Sequence, residues 1–318
     1  MSDDMIGTCG LFVVGFYDIL GQSSSFNAWS SIEELTTKGS PAWTAMLKSI
    51  SMVEAVREDF NEFYEGYRSV PVNEIPDSCT EVAKKYPKIT SFVSSIQLRD
   101  IGRMSFSDTN IWFVPFGDKS SGYSTREIAL MMLAIASAHV LALQRGVICR
   151  GALTIGCGAD ILGVKEGRGE IYGPVLLDAY RLESEASDYP RVIISDSIYK
   201  MIRDTIVDTD GMEMDSVEFA SANYNNTNLD LMWDFLYQDT DGAFALDYAG
   251  ERVAEIFSAD EKLSTNDIFT DMYNNIQKMM NDAGNKRNFK HLRRLKLVAD
   301  YLDSRKQFWL NSQPGATA

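Results

Sequence analysis

Histidine is nearly missing from this chain: 318 residues contain two, His139 and His291, far apart. Neither stands in a recognisable nucleophile context, so a Ser-His-Asp triad has little to start from. His139 lies in the apolar run LMMLAIASAHVLAL and reads as a helix residue near the core. Cysteines number four (Cys9, Cys79, Cys149 and Cys157), with no C-x-x-C spacing. That pattern argues against a zinc site and reads as small buried thiols in a reduced compartment. Positive charge is also short, with 30 Lys and Arg against 45 Asp and Glu and a net charge of -15. A strongly acidic body repels polyphosphate, which argues against broad nucleic-acid binding by counterion release. A small triphosphate can still bind where metal ions and a few cations neutralise it locally. The apolar stretch Ala129–Leu143 falls short of the roughly 20 residues that span a bilayer. The opening MSDDMIGTCG lacks a basic n-region, so the expectation is a cytoplasmic protein with no membrane insertion. The chemistry left to this composition is that of carboxylates.

Hydrophobic residues make up 45% and charged residues 24%, enough for one large domain or a domain with an appended subdomain. GLFVVGFYDI (10–19) reads as a buried central strand. A helix is expected over about 42–67, with an apolar stripe at Trp43, Leu47, Ile50, Val53, Phe60 and Tyr64. Two strands between about 89 and 116 meet at a tight turn, Ser107-Asp108-Thr109. A helix follows from Ser124 or Thr125 to about Arg145, stopped by Gly146. Then come strands at 147–156 and 169–172, a helix over 174–186, the strand RVIIS (191–195) and a helix through 198–203. Beyond Asp204 the pattern weakens, with one more strand expected at 229–237 and helix over 267–310. Hairpins among the helices argue for an α+β fold with a mixed, largely antiparallel sheet. The expected organisation is one domain over 1–248 and a C-terminal helical element over 249–318.

Two carboxylates stand at informative places: Asp18 at the end of the first strand and Asp108 at the hairpin turn. Either one alone reads as a turn residue. A strand end beside a hairpin tip can bring the pair together to hold hard divalent cations.

The flanks of these residues carry a resemblance. FYDILGQSSSF looks like the F-x-D-I-x-G-F-[ST] motif of class III adenylyl and guanylyl cyclases, and FSDTNIWFVPF is similar to their second metal hairpin. RGVICRGALTIG matches their R-x-G-I-x-x-G strand in position, and GEIYGPVLLDAYRLESEA followed by YPRVIISDSIY resembles the segment that carries their catalytic arginine. The four motifs run in order over about 10–200. In detail (DILGQS, SFSD, RGALTIG and AYRLES) they look most like the pyrimidine cyclases of bacterial Pycsar antiphage systems.

The resemblance implies a ferredoxin-like, palm-type domain that converts UTP or CTP to a 3′,5′-cyclic monophosphate and pyrophosphate, a second messenger read by a separate effector. It implies two Mg²⁺ or Mn²⁺ ions held by Asp18, Asp108 and the backbone carbonyl of Ile19, with backbone N–H groups of Leu20, Gly21 and Gln22 cradling phosphates. Arg181 would stabilise the α-phosphate in the transition state, acting across the subunit boundary of a homodimer; otherwise it is a surface arginine paired with Glu183 or Glu185. Purine nucleotide cyclisation, or a degenerate cyclase-homology dimer used as sensor or scaffold, are the alternatives.

Several positions depart from the family pattern. The ribose-orienting asparagine is Leu177, and no K-G-x-G segment supplies the phosphate lysine, for which Lys165 and Arg150 are weak substitutes. The two aspartates stand 90 residues apart (108 − 18), which implies an enlarged segment over about 22–95. The purine-reading positions hold Met104 and Glu170, which fits pyrimidine use; Glu170 either accepts from the base or faces solvent. Trp43 or another bulky residue of the enlarged segment would narrow the pocket.

Overall fold

A computed structural model describes residues 8–20, 37–69, 100–118, 122–123, 125–161, 169–187, 189–214, 216–260 and 262–310. In chain order the elements are β1 (Thr8–Ile19), α1 (Pro41–Ser69), β2 (Gly102–Phe106), β3 (Thr109–Pro115), β4 (Gly117–Asp118), β5 (Gly122–Tyr123) and α2 (Thr125–Gln144). They continue with β6 (Cys149–Asp160), β7 (Ile171–Tyr172), α3 (Pro174–Arg181), a π-turn (Leu182–Ala186), β8 (Val192–Ile194), α4 (Asp196–Asp204) and α5 (Val217–Asp234). The last are β9 (Leu236–Gln238), β10 (Phe244–Leu246), α6 (Glu251–Ser258), α7 (Thr265–Asn285) and α8 (Phe289–Leu310).

Eight of the strands form one sheet in the order β2-β3-β1-β6-β8-β10-β9, with β7 paired to the far end of β6. Among the described strands only β6 and β8 run parallel; the other pairings are antiparallel, so the fold is α+β with a mixed, mostly antiparallel sheet. The run β1–α1–β2–β3–α2–β6 places its four strands in the order β2-β3-β1-β6, each antiparallel to its neighbour.

β1 is central, which explains its near-continuous apolar sequence. Its odd residues Val13, Tyr17 and Ile19 pack into the main core with α1 and α2. Its even residues Phe12, Val14 and Phe16 join Ile111, Phe113, Val175 and Ala179 in a smaller cluster beneath α3. The two faces are thus sorted by the two-residue period of the strand. α2 lies against the odd face at close range because Gly15 has no side chain there; a Cβ would sit 3.1 Å from Ile135 Cδ1 and 3.2 Å from Leu153 Cδ1.

Twenty residues long, α2 is apolar enough to cross a bilayer by length and composition, so the run is longer than the sequence suggested. However, 89% of its most apolar window is buried inside the protein, as in a core helix. Gly146 ends it at φ 75°, where a side chain would be strained.

The C-terminal helices share the main core. Trp309 is fully buried against Phe257 and Phe269 and donates from Nε1 to the Ala249 carbonyl at 2.9 Å. Tyr301 Oη accepts from the Ala249 N–H at 2.8 Å and donates to Asp247 at 2.7 Å. Tyr248 and Ala249, at the expected division, are themselves buried.

Several expectations are corrected. Residues 229–234 belong to α5 and not to a strand; only Leu236–Gln238 is extended. In the Asn-rich stretch before them, where the sequence pattern weakens, side-chain amides serve as bridges. Thr125 donates to Asn225 Oδ1 at 2.8 Å, and Asn226 exchanges bonds with the Val207 backbone at 2.8 and 3.0 Å. The helix expected over 174–186 stops being α-helical at Arg181 and widens into the π-turn. The C-terminal helix is two, broken where Arg287 takes φ 53°. Of the α1 stripe, Phe60 and Tyr64 are core and Val53 packs partly buried against it, whereas Leu47 and Ile50 are exposed; Val56, outside the stripe, is buried as well. Of the described cysteines only Cys149 is buried; Cys9 and Cys157 are exposed.

Candidate active site

Asp18 continues the even-residue parity of β1, so its side chain lies on the α3 face of the sheet. The register places Thr109 beside it on β3 and Arg150 beside it on β6, a polar row across three strands. Thr109 Oγ1 donates to Asp18 Oδ1 at 2.9 Å. The Ile19 N–H donates to the Asp108 carbonyl at 3.3 Å, which brings the hairpin tip against the end of β1. Ser107 makes the two-residue turn at φ 52°. From below, Arg57 of α1 fixes that tip, with Nε donating to Asn110 Oδ1 and Nη2 to the Ser107 carbonyl, both at 2.7 Å.

Asp18 and Asp108 are therefore neighbours. Burial raises the Asp18 carboxyl above its ordinary range; the Thr109 bond opposes this, the charge of Asp108 adds to it, and Arg150 opposes it. A buried carboxylate repelled by a second one is the electrostatic setting a divalent cation relieves, so these two residues fit one. Among the described residues no group of three or more His, Cys, Asp and Glu is close enough to hold a metal. Further ligands at Asp18 and Asp108 would come from backbone, water or substrate oxygens.

Arg150 reaches away from the row to Glu183 of the π-turn, whose side chain is only 2% exposed. Burial pushes the Glu183 carboxyl up to about 7, against the pull of Arg150 and with the added charge of Asp18. Arg181, two residues earlier, is exposed and pairs with neither Glu183 nor Glu185 among the described contacts. It lines a groove of about 800 Å³ on this face together with Phe16, Phe106, Thr109, Tyr172 and Leu177. α3 forms one wall because β6 gives it room: at Gly158 a Cβ would sit 2.8 Å from Val175 Cγ1.

The other candidates are placed as follows. Met104 pairs with Ile111, which pairs with Phe16, so it stands two levels from Asp18 and packs on the smaller cluster. Glu170 is exposed and bonds through its carbonyl to Ile161, beyond the Asp160–Thr8 pair. At about 3.3 Å per residue, that is roughly 25 Å along β1 from the level of Met104, so one chain does not bring these two together. Leu177 is exposed in the groove. The Leu20 N–H donates to the Ile148 carbonyl at 2.7 Å and is thus spent within the sheet, which removes it from the expected phosphate cradle. Gly21, Gln22 and Lys165 lie outside the described residues. Trp43 belongs to α1, which packs on the opposite face of the sheet, so it does not shape this groove.

The roles of Thr109 and Arg57, and the pairing of Glu183 with Arg150, escaped the sequence reading. Thr109 was legible as the neighbour of Asp108. Nothing local marks Arg57, which depends on a partner 53 positions away.

His139 is fully buried as expected; its Nδ1 lies 2.9 Å from Tyr17 Oη, and burial lowers its pKa to about 3. A neutral core imidazole of this kind takes no part in the groove.

No family model matches the chain, and comparison with curated proteins finds no match.

Proposed function

We propose that this chain is a metal-dependent nucleotidyl cyclase that converts UTP or CTP to the 3′,5′-cyclic monophosphate and pyrophosphate. The observation that carries the reading is the meeting of Asp18 and Asp108 where the hairpin tip lies against the end of β1. The strand order β2-β3-β1-β6 supports it, because a β-α-β-β-α-β run in that antiparallel order is the ferredoxin-like arrangement of palm-type cyclases.

In the reaction the ribose O3′ attacks the α-phosphorus, its proton leaves to solvent or base, and the bond to the β-phosphate oxygen breaks to release pyrophosphate. Divalent cations would supply charge neutralisation of the triphosphate and a lowered pKa for the 3′-hydroxyl. Asp18 and Asp108 would hold them, with the Ile19 carbonyl as a backbone ligand. Thr109 occupies one Asp18 oxygen and so orients the other. Arg181 presents a fixed charge and a planar donor fork to the α-phosphate.

The apolar groove supports a homodimer. Phe106 and Tyr172 are 59% and 69% exposed, and Leu177 and Tyr180 add to the same face, so a second copy has apolar surface to cover. Each site then combines Asp18 and Asp108 of one chain with Arg181 of the other. Met104 in place of a purine-reading lysine favours a pyrimidine, and Glu170 would reach a base only from the partner subunit. The product would serve as a messenger for a separate antiphage effector.

Exposed Leu177 favours a second reading, a degenerate cyclase-homology dimer that senses or scaffolds. Incubation with Mn²⁺ and each of the four ribonucleoside triphosphates separates the two. A single cyclic pyrimidine nucleotide is expected. Dominant cyclic AMP or GMP reverses the base assignment, and no product from any triphosphate supports the scaffold.

A further inference from the structure

We infer that Arg150 and Glu183 are a positioning pair that holds the turn after α3 and thereby fixes Arg181; the inference rests on the cyclase reading above. Arg181 is the last residue of α3, and the π-turn begins at the next position. Two residues on a helical turn point to nearly opposite sides. Arg181 accordingly faces the groove while Glu183 is turned inward, where it meets Arg150. Arg150 comes from the row that holds Asp18, so the contact ties the arginine turn to the strand that carries the metal carboxylate.

The far end of the turn is pinned separately. Arg191, itself 2% exposed and paired with Asp239 and Asp241, donates from Nη2 to the Ala186 carbonyl at 2.9 Å. Ser187 Oγ donates to the Arg191 carbonyl at 2.9 Å. Without Glu183 the turn would lose its tie to the sheet, leaving at its start only α3 and the bond from Ser184 Oγ to the Arg181 carbonyl at 3.3 Å, so the Arg181 side chain would have more room to swing.

Stability alone does not account for the pair. Arg150 Nε meets Glu183 Oε1 with the glutamate buried and the arginine only partly exposed. A largely buried ion pair is worth little over apolar side chains of the same size, so what it supplies is orientation. A misplacement of about 1 Å of a group acting on the reacting atoms lowers turnover about 100-fold.

Glu183→Gln tests this. Turnover of the preferred triphosphate should fall about 10- to 100-fold, with KM and the Mn²⁺ requirement changed less than about two-fold. Mixing identifies the half of the site to which the pair belongs. Glu183→Gln chains should regain activity with Asp18→Ala chains, which bring an intact Arg181, and should not regain it with Arg181→Ala chains. Recovery with Arg181→Ala chains, or unchanged turnover, overturns the inference. Should wild-type protein make no cyclic nucleotide at all, the cyclase reading fails by itself. Hydrogen exchange of the 182–186 amides then still decides whether the pair holds the turn. About ten-fold faster exchange in both Glu183→Gln and Arg150→Met supports the pair, and unchanged exchange overturns it.

Discussion

Replacing Asp18 with asparagine should make the metal-free protein more stable and the metal-loaded protein less so. The carboxylate is half-buried and faces the charge of Asp108, and its raised pKa shows that these two effects outweigh the help of Thr109 and Arg150. Asparagine removes the charge while its side-chain oxygen still accepts from Thr109. That bond weakens from the charge-assisted to the neutral range, roughly 2 to 1 kcal/mol. The net gain is on the order of 1 kcal/mol, or about 2 °C in Tm for a chain of this size. Against this, Mn²⁺ at about 100 times its Kd stabilises the wild type by about 2.7 kcal/mol, or about 5 °C. The variant, with half of its carboxylate pair gone, should show little of that shift. The two melting curves, recorded at neutral pH in chelator and then in excess Mn²⁺, should therefore exchange order. Turnover should fall about 1,000-fold if the lost ligand removes about 4 kcal/mol of transition-state stabilisation. A variant that keeps the full Mn²⁺ shift, or that is less stable than wild type in chelator, refutes the assignment of Asp18 as a cation ligand.

Further outcomes follow from the packing and electrostatics. Trp309→Ala empties a fully buried site and strands the Ala249 carbonyl, so thermal unfolding should show a loss of about 3–5 kcal/mol; a loss below about 1 kcal/mol would mean that α8 is not part of the core. Glu183 has a folded pKa of about 7, above its ordinary 4.5. The stability it contributes is fully present below pH 4.5 and is lost as pH rises through 7. Arg150 and Asp18 are the charged groups that face it. The unfolding free energy of wild type relative to Glu183→Gln should thus decline between pH 5 and 8, by about 1–2 kcal/mol once screening through the open groove is allowed for; a flat difference contradicts the raised pKa.

The strands of the candidate site were legible in the sequence because they are central and carry uninterrupted apolar runs. β1 ends one residue past Asp18 and turns its even residues to one face, so the face of the first carboxylate followed from strand period alone. The tight turn at Asp108 was legible for the same reason, since it separates two apolar segments that must pair. Arg57 and Glu183 were not legible, because each owes its role to a residue brought near by tertiary structure: Arg57 to the hairpin tip, Glu183 to Arg150. α5 was missed because asparagines, which ordinarily mark loops, spend their amides there on neighbouring segments. The Leu20 amide was assigned to phosphate because the sequence does not show that the sheet extends one bond beyond Ile19. Met104 and Glu170 were paired as base readers only through the resemblance, and the register sets them about eight levels apart on the sheet, a separation that sequence alone does not show.

The central claim is that Asp18 and Asp108 direct cyclisation of a pyrimidine nucleoside triphosphate. Product analysis of wild-type protein beside Asp18→Ala, each with Mn²⁺ and UTP or CTP, tests it most directly. Wild type should release pyrophosphate and a 3′,5′-cyclic pyrimidine nucleotide in equal amounts, and the variant neither. Inorganic phosphate without cyclic product, or equal product from the variant, would contradict the account.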